Sequence, residues 1–112
     1  MISVIVPVLN AGRFLPQMIE ALEDEDFPAG EYEILLVDNG STDDSVATIR
    51  RYPRVRLLHE PRRGSYAARN LAALEARGDI LAFIDSDSVA GKGWLRAVKD
   101  AFSAGKAQVL LG

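Results

Sequence analysis

Asp85-Ser86-Asp87 is the sharpest chemical feature of the sequence. Two carboxylates two residues apart, directly after the apolar run Ile80-Leu81-Ala82-Phe83-Ile84, can converge on one hard cation. Magnesium and manganese favour oxygen ligands, and magnesium completes its shell with water and phosphate oxygens rather than with a protein cage. A cation held there would neutralise charge on a departing diphosphate. The plainer alternative is that Asp85 closes a strand-to-loop turn and Asp87 is solvated. Asp38 follows a second apolar run, Ile34-Leu35-Leu36-Val37. It can accept a hydrogen bond from a nucleobase ring nitrogen or a ribose hydroxyl. It can equally form an Asx-turn or cap a helix, because Ser41, Thr42 and Asp43 lie close behind. Arg69 stands beside the small Ala67 and Ala68 and suits phosphate oxygens. A surface salt bridge to Asp38 or Asp85 is its other use. Arg62 and Arg63 could assist a diphosphate, although a solvated pair of charges is the simpler reading. His59, the single histidine, receives no role, and Trp94 is read as a core residue.

These groups do chemistry together only if a scaffold brings them to one place. Ile2-Ser3-Val4-Ile5-Val6-Pro7-Val8 is β-branched and nearly all apolar, the pattern of a strand covered on both faces. Residues 13–23 carry Phe14, Ile19 and Leu22 on a helical stripe. Residues 24–30, with Pro28 and Gly30, read as a loop, and residues 33–37 as a second strand. Thr42 or Asp43 can cap a helix running to Tyr52, which Pro53 ends. Residues 55–58 form a third strand. Gly64 and Ser65 open a helix that reaches Arg77 and Gly78. Residues 80–84 are a fourth strand, 94–103 a last helix, and Gln108 begins another strand. Strand-helix alternation implies right-handed crossovers and a Rossmann-like α/β fold: a mostly parallel sheet, helices on both faces, strand order 3-2-1-4. Ligands of such sheets bind outside the carboxyl ends of the strands, at the point where the strand order reverses. Asn10, Asp38 with Asn39, residues 64–69, and Asp85 with Asp87 all fall at those ends.

At these residues the chain resembles the family 2 glycosyltransferases. Val6-Pro7-Val8-Leu9-Asn10 is similar to the family's opening strand-to-loop motif. Val37-Asp38-Asn39-Gly40-Ser41-Thr42-Asp43 resembles its second-strand signature. Gly64-Ser65-Tyr66-Ala67-Ala68-Arg69-Asn70 resembles the stretch heading its third helix, and Phe83-Ile84-Asp85-Ser86-Asp87 its metal-binding Asp-x-Asp. The four motifs stand in the family's order and cover essentially the whole chain. The resemblance implies an A-type glycosyltransferase half domain and an inverting, metal-dependent transfer from a nucleotide-diphosphate sugar, a UDP-sugar first of all, with Mn2+ or Mg2+ as cofactor. It implies that Pro7, Val8, Leu9 and Asn10 line the nucleotide pocket and that Asp38 binds the base. Arg69 would lie near the diphosphate, Asp85 near ribose and metal, and Asp87 would be the direct metal ligand. Leu9 stands where the family often has an aromatic residue. Inverting members use a carboxylate base well downstream, yet after Asp87 the only acidic residue is Asp100, so no catalytic base is assigned. The alternative function is a module that holds nucleotide without transferring sugar.

Composition bounds the rest. A chain of 112 residues, 48% hydrophobic and 26% charged, suits one globular domain. We expect residues 1–112 to be a nucleotide-sugar-binding domain truncated at its C-terminal end, with the cut edge favouring a homodimer. Thirteen basic against 16 acidic residues, a net charge of −3, argue against a general nucleic-acid binder. With no cysteine there is no disulfide or thiolate site. No run approaches the length of a membrane span. The chain reads as cytoplasmic, at the cytoplasmic face of the membrane if a longer parent carries an anchor. A signalling receiver domain would need an acidic pair after the first strand, where Pro7-Val8-Leu9-Asn10 stands. A dinucleotide-dependent dehydrogenase would need a G-x-G-x-x-G turn, which Asn10-Ala11-Gly12-Arg13 does not supply.

Overall fold

The computed structural model describes residues 1–103 and the strand Val109–Leu111. The chain runs β1 (Ile2–Val8), α1 (Leu15–Glu23), a 3-10 turn (Ala29–Glu31), β2 (Tyr32–Asp38), α2 (Ser45–Ile49), β3 (Val55–His59), α3 (Ser65–Glu75), β4 (Ile80–Ile84), α4 (Trp94–Ser103) and β5 (Val109–Leu111). The sheet order is β3-β2-β1-β4-β5, and every neighbouring pair is parallel. The order 3-2-1-4 read from the sequence is therefore present, with β5 added beside β4. Gln108, which opened the last strand in the sequence reading, lies outside the described residues.

The apolar runs explain the layers. In β1, Val4, Val6 and Val8 face a core shared with Leu15, Met18, Ile19 and Leu22 of α1, Ile49 of α2, and Leu95 and Val98 of α4. Ile5, on the opposite side of the pleat, packs with Val37 and with Ala68 and Ala72 of α3. Helices therefore cover both faces, which is why β1 and β2 lack the polar-apolar alternation of a half-exposed strand. The face under α3 is the thinner one. Its Leu58, Leu71, Leu81 and Phe83 are only partly buried, and Leu74 on α3 is 85% exposed.

Helix ends differ from the sequence reading where side chains from elsewhere intervene. Residues 11–14 make a turn first, with the Phe14 and Leu15 N–H groups donating to Ala11 O, so α1 starts at Leu15 rather than Arg13. After Ile49 the chain tightens: Arg51 N and Tyr52 N donate to the carbonyls three residues back, which leaves α2 short of Tyr52. The Arg77 N–H is diverted to Glu33 Oε2 (2.6 Å) and the Gly78 N–H to Ser3 Oγ (2.8 Å). These bonds pull the chain off the helix axis, and α3 ends at Glu75. Among the described residues no helix is long and apolar enough to cross a membrane.

Candidate functional site

β1 lies between β2 and β4, and the strand order reverses between β1 and β4, the point at which such sheets bind ligands over their carboxyl ends. A cleft of about 940 Å3 occupies this position. Residues 7–11 at the end of β1 and just beyond it, Asn39 and Gly40 after β2, residues 63–65 and Arg69 at the head of α3, and residues 85–87 after β4 all line it. Pro7, Val8, Leu9, Asn10, Arg69, Asp85 and Asp87 are thus brought together on one wall system. Asp38 is not on that wall. It is 6% exposed, and its carboxylate accepts the N–H groups of Gly40 (3.4 Å) and Ser41 (3.3 Å), the turn anticipated as its alternative use. His59 Nδ1 stands 3.9 Å from Asp38 Oδ2.

The loop after β1 is tied to the loop after β2. Asn10 adopts φ 51°, a left-handed conformation that asparagine tolerates better than most residues. Its N–H donates to Ser41 Oγ (2.9 Å), and its Oδ1 accepts the N–H groups of Thr42 (2.7 Å) and Asp43 (3.2 Å). Ala11 N donates to Ser45 Oγ (3.1 Å) and Gly12 N to Asp43 Oδ2 (3.0 Å). The approach is so close that a Cβ on Gly12 would meet Asp44 Oδ1. Asp43 holds the start of α2 by accepting from Ser45 N (2.9 Å), whereas Thr42 makes no cap. The Ser45 hydroxyl and these N–H groups hold the Asp43 carboxyl below its ordinary pKa.

A second tie joins β2 to the head of α3. The Asn39 Nδ2 group donates to Glu60 O (2.8 Å) and Arg62 O (2.6 Å), and its Oδ1 accepts the Gly64 N–H (2.9 Å). The sequence places Asn39 in turn chemistry and among the polar residues at the strand ends, without pointing to these partners. The Arg62 guanidinium turns to the buried Glu60 carboxylate (Nη2 to Oε1, 2.7 Å) and holds that acid below its usual range. Arg62 and Arg63 are both exposed, as the simpler reading has it; Arg62 in addition pairs with Glu60, and Arg63 lines the cleft. Arg69 pairs with neither Asp38 nor Asp85. Its guanidinium lies over the Phe83 ring, 5.7 Å from the centroid. Phe14, read as part of the α1 stripe, lies before the helix and lines the cleft while 37% exposed.

Asp85 and Asp87 are exposed, and neither carboxylate has a hydrogen-bond or ion-pair partner among the described residues. The Ser88 N–H donates to Asp85 O (3.0 Å), which makes the turn. No group of three or more acidic, histidine or cysteine side chains that could cage a metal occurs among the described residues. The donor set is two free carboxylates facing a cleft that also carries Arg63 and Arg69. That chemistry fits a hard cation whose remaining ligands come from water and a phosphorylated ligand. The far end of the same loop is pinned to the connection after α1. Glu25 Oε1 accepts the Leu95 N–H (2.7 Å) at the start of α4, and Asp26 N donates to Lys92 O (3.0 Å). Glu25 is 7% exposed with Oε2 unpartnered, and burial raises its pKa.

A β3-β2-β1-β4 sheet with helices on both faces and this cleft at its switch point is the A-type glycosyltransferase fold. The chain belongs to glycosyl transferase family 2, whose sequence profile matches residues 3–112. It is 35% identical over 99 residues to glycosyltransferase AglE of Haloferax volcanii, a match covering 84% of this chain and 33% of AglE. Among solved structures it resembles S. aureus TarS 1-349 in complex with UDP, with a TM-score of 0.84 and 28% identity over 92% of this chain and 32% of that one. It also resembles the mannosyltransferase PcManGT from Pyrobaculum calidifontis in complex with GDP-Man and Mn2+, with a TM-score of 0.79 and 29% identity over 84% of this chain and 30% of the other. The chain spans about a third of the length of these relatives.

Proposed function

We propose that the cleft binds a nucleotide-diphosphate sugar, a UDP-sugar first of all, and that the protein transfers the sugar to an acceptor with inversion, assisted by Mn2+ or Mg2+. One observation carries this reading: four strand ends converge on a single cleft that has arginines at one edge and two unpartnered carboxylates at another. UDP in the TarS structure and GDP-Man with Mn2+ in PcManGT support it.

In this reading residues 7–10 form the floor under the nucleoside, and Asp38 orders the turn at the base and accepts from the base when it is seated. Arg63 and Arg69 meet diphosphate oxygens. Arg69 lies over the Phe83 ring, and its planar guanidinium suits the oxygens of a leaving diphosphate. Asp87, with Asp85 beside it, would hold the divalent ion, which when bound supplies Lewis-acid stabilisation of the leaving group. The acceptor hydroxyl needs a base to take its proton. Asp100, the one acidic residue after Asp87, is exposed on α4, so it is not assigned that role.

The alternative reading is a module that holds nucleotide without transferring sugar. Calorimetric titration of UDP and GDP, each with and without Mn2+, tests the shared premise. Metal-enhanced binding of UDP is expected, and absence of binding by either nucleotide would remove both readings. Release of UDP from a UDP-sugar in the presence of acceptor then separates transfer from binding alone.

A further inference from the structure

We propose that Asn39 is a positioning residue of the cleft: its neutral side-chain amide shapes the loop of residues 60–64 and thereby decides that Arg63 faces the ligand. The inference rests on reading the cleft as the donor site. Asn39 is itself rigidly placed. Its N–H donates to Val8 O (2.8 Å), and Glu60 N donates to Asp38 O (2.9 Å), so the ladder between β1, β2 and β3 continues past the strands on both sides of it. From that fixed point the side chain makes three bonds to one short loop, donating to Glu60 O and Arg62 O and accepting from Gly64 N.

The loop needs this support. Gly64 adopts φ 106° and ψ 145°, a conformation open to glycine and strained for other residues. Holding both carbonyls and the Gly64 N–H fixes the turn that starts α3. With Arg62 O drawn toward Asn39 and the Arg62 side chain bound to Glu60, the next side chain in sequence, Arg63, is the one left facing the cleft.

Two donors and one acceptor on a single planar group is what an amide offers and a carboxylate does not. Asparagine and aspartate have nearly the same shape, so the chemistry at position 39 can be changed without changing its volume. An aspartate there would aim carboxylate oxygens at two carbonyls in a buried place. The charged groups around it are Asp38 on β2, Glu60 and Arg62 on the loop, and His59 at the end of β3, 3.9 Å from Asp38. Burial and the neighbouring carboxylates would raise the pKa of such an aspartate. Its protonated form regains one donor, so the defect should shrink as pH falls.

The test compares wild type with Asn39→Asp and Asn39→Ser, the second of which removes the clamp without burying a charge and serves if the first does not fold. Trypsin cleavage after Arg62 and Arg63, with no ligand present, reads the loop directly. Both variants should be cut about threefold faster or more, because the loop opens locally. UDP binding with Mn2+ reads the cleft. Relative to wild type, Asn39→Asp should bind about tenfold more weakly near pH 7.5 and come closer to wild type near pH 5.5, whereas the Asn39→Ser deficit should stay constant. Unchanged cleavage in both variants overturns the proposal, and so does an Asn39→Asp deficit that is the same at both pH values. If wild type fails to bind UDP, the donor reading falls and the cleavage result alone decides the clamp.

Discussion

The side-chain oxygen of Asn10 accepts the main-chain N–H of Thr42 at 2.7 Å, across from the end of β1 to the loop after β2. The same oxygen accepts from Asp43 N, and the Asn10 N–H donates to Ser41 Oγ. Asn10 therefore shapes the cleft before it can touch anything bound there. Its Oδ1 is committed to the neighbouring loop, and its Nδ2 has no partner among the described residues.

Asn10→Ala and Asn10→Asp should consequently behave differently. Alanine removes the acceptor for two N–H groups and is poorly suited to φ 51°. It should lower the unfolding free energy by about 1–3 kcal/mol. Aspartate keeps the acceptor and tolerates the left-handed conformation, so it should cost well under half of that. Urea denaturation of the two variants measures the difference. Equal losses would mean that the loop tie contributes nothing.

Asp38 separates fold from ligand binding more sharply. The carboxylate is buried under the Gly40 turn and off the cleft wall, yet the family resemblance gives it the nucleobase. Asp38→Asn keeps an acceptor for one of the two N–H groups, which bond to different carboxylate oxygens at the long distances of 3.4 and 3.3 Å, and removes the charge. We expect a melting temperature near wild type and UDP binding weakened by about 1–3 kcal/mol, the range for a lost charge-assisted bond. A variant that melts lower but binds UDP as well as wild type would assign Asp38 to the turn alone.

The strands were legible because burial on two faces leaves a local mark: β1, β2 and β4 are apolar at consecutive positions. The polar residues at their carboxyl ends were legible for the same reason, since Asn10, Asp85 and Asp87 interrupt or follow those runs. Asn39 was not legible. Its three partners lie between 21 and 25 residues away, and nothing in its own neighbourhood distinguishes a clamp from a turn residue. The different fates of Arg62 and Arg63 depend on the buried Glu60 in the same way, and a preceding acidic residue two positions back was the one available signal. A salt bridge to Asp38 or Asp85 was the alternative use of Arg69 beside phosphate binding. Arg69 lies over Phe83 instead, because α3 packs on β1 and β2 and its head reaches the neighbouring β4, a proximity that local sequence does not announce. Phe14 was assigned to the helix by periodicity, which cannot see that the turn at Ala11 delays α1.

Glu25 should leave a signature in the pH dependence of stability. Its folded pKa is raised by burial, so its contribution is fully present below the ordinary carboxyl value of 4.5 and is lost as pH rises through the folded value. Glu33, Asp43, Glu60 and Asp79 have lowered folded values and act in the opposite sense, contributing above their unfolded pKa values. Glu25→Gln keeps an oxygen for the Leu95 N–H and cannot ionise. The stability difference between this variant and wild type should therefore move in favour of glutamine from about pH 4 to about pH 7. A difference that stays flat over this interval would show that the buried carboxyl adapts without cost.

The metal reading makes the most specific demand. Asp85 and Asp87 are exposed and unpartnered, and among the described residues no third acidic or histidine side chain joins them. Two carboxylates alone are a poor cage for Mg2+ or Mn2+, because several coordination positions stay with water. Phosphate oxygens from a bound diphosphate would fill some of those positions, so ion and nucleotide should each tighten the other's binding by the same factor. We expect Mn2+ alone to bind weakly and Mn2+ with UDP to bind at least about tenfold more tightly than UDP alone, a coupling of about 1.4 kcal/mol or more. Asp87→Ala should abolish the coupling while leaving metal-free UDP binding nearly unchanged, and Asp85→Ala should reduce it. Neither change should destabilise the fold, since neither side chain holds another group. Calorimetry of UDP with Mn2+ and with EDTA, on wild type and both variants, gives all the required numbers. If wild type binds UDP equally well with and without Mn2+, or if Asp87→Ala keeps the enhancement, the carboxylate pair is a solvated turn and the ion, where one is used, is held elsewhere.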